Sequence, residues 1–399
     1  MKKYKKKIIL MSLSFVLVFI TMIATTFAWI GIFTYANTNK FDINLKVLDF
    51  DADYYLVISP TGEVGSFYDE VKSVDLKKQV LINRGKDISK LTNDDAISLA
   101  YEKETSSLVP VTTLPNANNS LKNFKRMDMT GINSTYNPAT EKIIPGFVEG
   151  IENCIWFDLY FTVDTKEGIS SMSEINSPIF LTALEDTIVG SLKSHTLLMY
   201  DSHTENDFKT IDYNQLGTLP YLNYVPILKD IANSRKININ SKNAVRFGFD
   251  LYEPIPIDEE YDDTNEIVDN VIYSLGSKYP KYNSEDNSYD LGDNLPTIYN
   301  TAAQELMNTK TYYEIEVPEE YVNRGDINLD YNNNLVWKSA TDLSSPNNYL
   351  GVHNGVQTKM RLRTYLWFEG WDADCILGIN NSEIELNLTF AAAIGDKDE

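Results

Sequence analysis

"RLRTYLWFE", residues 361–369, decides how this chain is read. Leu362, Thr364, Leu366 and Phe368 occupy one set of alternate positions, and Arg361, Arg363, Tyr365, Trp367 and Glu369 the other. A period of two places successive side chains on opposite faces of a β-strand, one toward a core and one toward water. Gly370 interrupts the pattern, and Trp371 to Cys375, "WDADC", read as a turn in which Asp372 and Asp374 bond nearby backbone. Glu369 then shares a face with two arginines, and a cross-strand ion pair is its expected role. The rival reading makes Glu369 a hydrolytic carboxylate, which for glycoside cleavage needs a second carboxylate about 5–10 Å away in a cleft. Nothing in the stretch requires that partner.

The same alternation recurs along the chain. It places Phe41, Ile43, Leu45 and Val47 together in "FDINLKV", and Ile155, Phe157, Leu159, Phe161 and Val163 together in "CIWFDLYFTV". "AVRFGFDLY" aligns Val245, Phe247, Phe249 and Leu251, "YYEIEV" aligns Tyr313, Ile315 and Val317, and "EIELNLTF" aligns Ile384, Leu386, Leu388 and Phe390. "YYLVIS" (54–59) is a further short strand, closed by the turn "SPTG". One oily face and one wet face, repeated, predict a mainly β protein: an antiparallel β-sandwich. Helical signals are few. "TNDDAISLAYEKE" (92–104) carries a cap at Asn93 or Asp94 and an apolar set at Ile97, Leu99 and Ala100, and "TIYNTAAQELMN" (297–308) is a second candidate. Polar, Asn-rich stretches around 105–145 and acidic ones around 253–295 read as long loop insertions. One domain over 37–399 is the simplest division, with a split near residue 250 as the alternative.

The first 39 residues carry a different signal. Lys2, Lys3, Lys5, Lys6 and Lys7 precede a run from Ile8 to Asn39 without a charge. Such a run is long enough to span a bilayer, which takes about 20 residues. The lysines beside it hold the N-terminus in the cytoplasm. Residues 1–36 therefore read as a signal anchor or a long signal sequence, with small-residue cleavage positions after Ala28 and Ala36. The domain that follows is expected outside the cytoplasm, tethered to the cell membrane through the N-terminal helix or released to the surface after cleavage.

The formal net charge of −22 disfavours nucleic acid as a partner, because phosphate binding needs a basic surface. The two cysteines, Cys154 and Cys375, both fall in the exported part. That compartment permits a disulfide between them, and two separately buried thiols are the alternative. His195, His203 and His353 show no zinc-binding spacing, and neither a G-x-S-x-G elbow nor a phosphate-binding glycine loop occurs. Asp326, Asn328 and Asp330 alternate as at the start of a calcium loop. Tyr331 and Trp337 stand where an EF-hand needs Gly and Glu, so a polar turn is the stronger reading and calcium the weaker. The "RGD" at Arg324–Asp326 is short enough to arise by chance. No catalytic residue, cofactor site or metal site is assigned.

Several pieces together carry a resemblance. "ATTFAWIGIFTYANTN" followed by "FDINLKV" resembles the export segment and first strand of surface proteins from low-GC Gram-positive bacteria. "RLRTYLWFEGWDADC" with "IELNLTF" resembles their C-terminal strand pair, and "FDLYFTV" and "AVRFGFD" resemble their middle strands. The group is similar to biofilm-fibre and camelysin-type proteins. That resemblance implies a jelly-roll-like β-sandwich. It also implies a non-enzymatic structural or adhesive role, as a fibre or matrix subunit that self-assembles or meets other surface proteins. In an assembling protein the strand Phe41, Ile43, Leu45, Val47 is the expected donor to a neighbour's sheet. Two alternatives remain: a surface module that binds glycan or another surface ligand through exposed aromatics, with Trp367 and Trp371 as ligand or assembly residues, and a secreted hydrolase with carboxylates near Glu369.

Overall fold

A computed structural model describes residues 38–48, 54–106, 108–114, 120–128, 135–137, 139, 142–144, 146–165, 174–182, 188–190, 192–198, 234–262, 265–274, 281–283, 288–290, 314–315, 324, 326–329, 334–338, 349–370 and 382–392. The chain divides into two units, Met1–Tyr35 and Ala36–Glu399. The first unit lies outside the described residues, and with it the expected membrane or signal helix. Among the described residues no helix is long and apolar enough to cross a membrane.

Among its described residues the second unit is mainly β, with mixed sheets and two α-helices. In chain order the principal strands are β1 (Thr38–Leu48), β2 (Tyr54–Ser59), β3 (Glu70–Val71), β4 (Ile155–Thr165), β5 (Glu174–Asn176), β6 (Ile179–Thr182), β7 (Ile188–Gly190) and β8 (Val245–Tyr252). They continue as β9 (Ile255–Pro256), β10 (Ile267–Ser274), β11 (Ile327–Asn328), β12 (Asn334–Trp337), β13 (Gly351–His353), β14 (Val356–Phe368) and β15 (Ser382–Ala391). The helices are α1 (Ser73–Asn83) and α2 (Asp94–Thr105). One sheet runs β12–β6–β15–β1–β3, with β7 also on β15. The larger runs β2–β4–β14–β8–β10–β11, with β9 and β13 on β14 and β5 on β13.

The opening stretch is the C-terminal end of β14, the centre of the larger sheet, flanked by β4 and β8 in antiparallel register. Its aliphatic face is buried with the matching faces of β4 and β8, as alternation predicts. The apolar faces of both sheets meet in one core: Phe390 of β15 lies edge-on to Phe161 of β4 at 4.9 Å and tilted against Phe249 of β8 at 6.0 Å. Each fully buried side chain of this size contributes about 1.5–3 kcal/mol relative to exposure.

Several expectations change. The sheets are not purely antiparallel, because β1 pairs with β15 in parallel over ten registered residues, from Thr38 opposite Ser382 to Leu48 opposite Ala391. β8 is buried on both faces, including Arg246, Asp250 and Tyr252, which alternation alone would leave wet. The acidic region 253–295 contributes β9 and the eight-residue β10 to the larger sheet. In the 105–145 region, Lys125–Asp128 pairs with Gly146–Glu149. α2 starts where expected, with Asn93 Oδ1 accepting from the Ala96 amide at 2.8 Å. Its buried stripe is Ile97, Tyr101 and Thr105, spaced four apart, and Leu99 is 70% exposed. α1 has no clear signal in the sequence: Leu76, Val80 and Leu81 are its buried positions within a lysine-rich segment. The helix expected at 297–308 lies outside the described residues.

Candidate functional site

β1 is the strand that follows the apolar N-terminal run, and its attachment is lopsided. On one edge β15 holds it along nearly its whole length. On the other, β3 pairs only with Leu45 and Lys46, and Val47 donates to the Asp69 carbonyl at 2.7 Å. Ile43, Leu45 and Val47 are buried, opposite Leu386, Leu388 and Phe390 respectively. The Phe41 side chain lies outside the described residues.

The polar face of β1 is also engaged. Asn44 Nδ2 donates to Asn387 Oδ1 at 2.8 Å and to Glu385 Oε1 at 3.0 Å. Asp42 accepts from Ser73 Oγ at 3.1 Å and pairs with Lys77 Nζ at 3.2 Å, at the start of α1. That placement suits a carboxylate, because the first turn of a helix presents unpaired N–H groups and the positive end of its dipole. Beside these residues runs a groove of about 350 Å³, lined by β1, β15 and the β3–α1 junction, with Asn44, Lys46, Lys72 and Thr389 among its walls. Leu45, Val71 and Leu388 also line it, so its walls are of mixed polarity.

The other sequence-selected residues fall elsewhere. Trp367 is completely buried, which corrects its assignment as an exposed ligand-binding aromatic. Val111, Leu121 and Phe124 cover the outward face of β14 there: Phe124 packs edge-on to the Trp367 ring at 5.1 Å and tilted against Tyr365 at 5.6 Å. The cover lies close because Gly248 has no side chain; a Cβ there would sit 2.8 Å from Leu121 Cδ1 and from the Val271 carbonyl oxygen. Asp250 ties the cover down, accepting from Ser120 Oγ, from the Leu121 amide at 2.9 Å and from Tyr365 Oη at 2.8 Å. Burial pushes the Asp250 carboxyl above its ordinary value, against the hydrogen bonds that favour its anion.

Glu369 does form an ion pair, but not with the arginines of its own strand. Its carboxylate meets Arg324 and accepts from Trp367 Nε1 at 3.1 Å, and it is 2% exposed. Arg324 also donates to Asp326 through Nε at 2.6 Å, and Arg246 Nε donates to the same carboxylate at 3.2 Å. The "RGD" arginine and aspartate are thus both tied into a buried ionic network. Burial raises the Asp326 pKa, but the Arg324 guanidinium, with help from Arg246, outweighs it and holds the carboxyl below its ordinary value. Arg363 instead grips Asp158 with two bonds, at 2.7 and 2.9 Å, and stacks over Trp156 at 4.7 Å. Arg361 stacks on Tyr252 at 3.7 Å.

Cys154 is a free, buried thiol whose pKa burial pushes up. Cys375 and Trp371, the remaining members of the disulfide and aromatic assignments, lie outside the described residues. Asp326 is the described carboxylate of the calcium-like run, and Asp330 lies outside. Among the described residues no group of three or more His, Cys, Asp or Glu is placed to hold a metal ion. His353 Nδ1 meets Glu174 Oε2 at 3.0 Å, joining β13 to β5; His203 lies outside the described residues.

Compared with known proteins, the chain matches no family model, no curated protein and no solved structure.

Proposed function

We propose that this chain is a non-enzymatic structural protein of the bacterial cell surface, built on a jelly-roll-like β-sandwich, that self-associates through β1. The apolar N-terminal run carries it to or holds it at the membrane, and the β-rich unit stands outside the cytoplasm. The observation that carries the reading is the lopsided seating of β1. A strand that follows an export segment and is paired along ten residues with β15 but only two with β3 forms essentially one ladder, so an equivalent strand has only that ladder and its buried apolar face to remake. A vacated slot presents an unpaired β15 edge and an apolar trough, which an equivalent strand from a second copy satisfies in full. Such a contact is heterologous and propagates from copy to copy. The burial of Glu369 under Arg324 and Trp367 supports the non-enzymatic part of the reading, because it leaves that carboxylate engaged within the fold.

Sedimentation of residues 37–399 against residues 49–399 tests it. Association that grows with concentration is expected for the longer form and is lost from the shorter. A longer form that stays monomeric at every concentration overturns the proposal.

A further inference from the structure

We infer that the slot around β1 is a sequence-reading strand receptor, and that Asp42 and Asn44 are the residues it reads. The apolar face of β1 does not specify register on its own. Phe41, Ile43, Leu45 and Val47 are all large and apolar, so a slide of two residues keeps similar side chains in the trough. The polar face removes that ambiguity. Asp42 has a receptor in Ser73 and Lys77 of α1, and Asn44 has one in Asn387 and Glu385 of β15.

A slide of two in one direction brings Lys40 to the place of Asp42, against the Lys77 ammonium. It also brings Asp42 to the place of Asn44, against the Glu385 carboxylate. Both contacts become like-charge contacts on one short strand. A slide of two in the other direction brings Asp49 to the buried position of Val47, opposite Phe390, where a carboxylate has no partner. A slide of one sends Asp42, Asn44 and Lys46 into the core. The slot therefore accepts an extended segment with an acid and an amide two residues apart on its outer face and large apolar residues between and around them. The partner this describes is β1 of the same chain or of a second copy. Only the choice between those two sources rests on the assembly reading above; the register does not.

The test uses native-state hydrogen exchange on residues 37–399 and charge reversal. Asp42→Lys is expected to speed exchange of the Ile43–Val47 amides about 10-fold relative to those of β4 and β14, because it replaces an attraction with a repulsion at one latch. Adding Lys77→Asp to that variant is expected to restore protection, which a general loss of stability would not allow. Unchanged exchange in Asp42→Lys, or no restoration in the pair, overturns the inference. Mixing the two single variants then identifies the source of the strand. A complex that forms only in the mixture places β1 of an Asp42→Lys copy in the slot of a Lys77→Asp copy. Restored protection in the double variant without any complex in the mixture keeps the receptor within one chain, and removes the assembly reading alone.

Discussion

The side-chain amide of Gln79 pairs with the backbone of Asp158 as a neighbouring strand would: its Nε2 donates to the Asp158 carbonyl at 3.1 Å, and its Oε1 accepts from the Asp158 amide at 2.9 Å. The position is needed because β2 pairs with β4 only from Tyr160 onward, and among the described residues no strand lies along that edge of 155–159. One helical turn later Asn83 donates to the Trp156 carbonyl at 2.9 Å, and Arg84 donates to the Cys154 carbonyl at 3.0 Å. The spacing of four places Gln79 and Asn83 on one face of α1, and alternate carbonyls of a strand lie along one edge, so the two periods meet. An open edge of this kind is a template for unwanted pairing, and α1 covers it.

Replacing Gln79 with alanine removes this cover at the end next to β2. The expected loss is about 1–3 kcal/mol, since the Asp158 amide, the Asp158 carbonyl and the Pro60 carbonyl lose this partner. Urea denaturation measures it, and light scattering of the variant is expected to rise with concentration as the edge becomes available.

The Glu369–Arg324 pair is expected to matter for stability more than any surface charge. Arg324→Ala leaves Glu369 and Asp326 without their main counter-charge in a buried setting, and the expected cost is about 3–5 kcal/mol. Lys125→Ala, which removes a partly exposed pair with Glu149, is expected to cost under about 1 kcal/mol. Chemical denaturation of the two variants side by side checks the ranking.

Asp326 also sets a pH dependence. Its folded pKa lies below the ordinary carboxylate value, so the folded state binds the proton less readily than the unfolded chain. Its contribution is complete above the unfolded value of about 3.9 and drains away as pH falls through the lower folded value. Asp326→Asn is expected to flatten that part of the acid-unfolding curve, measured by circular dichroism between neutral pH and acid.

Asp250 works in the opposite sense. Its folded pKa lies above the ordinary value, so protonation favours the folded state, and this site adds stability as pH falls from the folded value toward the unfolded one. Asp250→Asn retains oxygen and nitrogen for Leu121, Ser120 and Tyr365 and is expected to abolish that gain. Asp250→Ala leaves the Leu121 amide and one of the Ser120 and Tyr365 hydroxyls, which also bond each other, without an acceptor and is expected to cost about 2–4 kcal/mol. Thermal melts across the same pH range separate the two.

The faces of the strands are legible in the order of residues. Leu362, Leu366 and Phe368, Ile155 to Val163 in alternation, and Ile384 to Phe390 in alternation are all in the core. Two-residue periodicity is local, and it reports which side chains share a face. What lies over that face is not local. Alternation puts Arg361, Tyr365, Trp367 and Glu369 on one side of β14 and points Trp367 to solvent. Val111, Leu121 and Phe124, which bury it, come from a distant and weakly patterned part of the chain. The same alternation offers Glu369 a cation in Arg361 or Arg363, and its partner is Arg324, 45 residues upstream.

Residue order alone carries the β class, the inward sets of the main strands, the start of α2 and the candidacy of Phe41–Val47 as a distinctive first strand. Tertiary structure alone decided that this strand runs parallel to β15, that Asp42 meets Lys77 and Asn44 meets Asn387, and that a carboxylate near the end of β14 is closed over by an arginine. The physical reason is the reach of each interaction. Backbone geometry repeats along a few residues and leaves a trace in their order, whereas an ion pair or a covered aromatic depends on chain segments brought together only when the core closes.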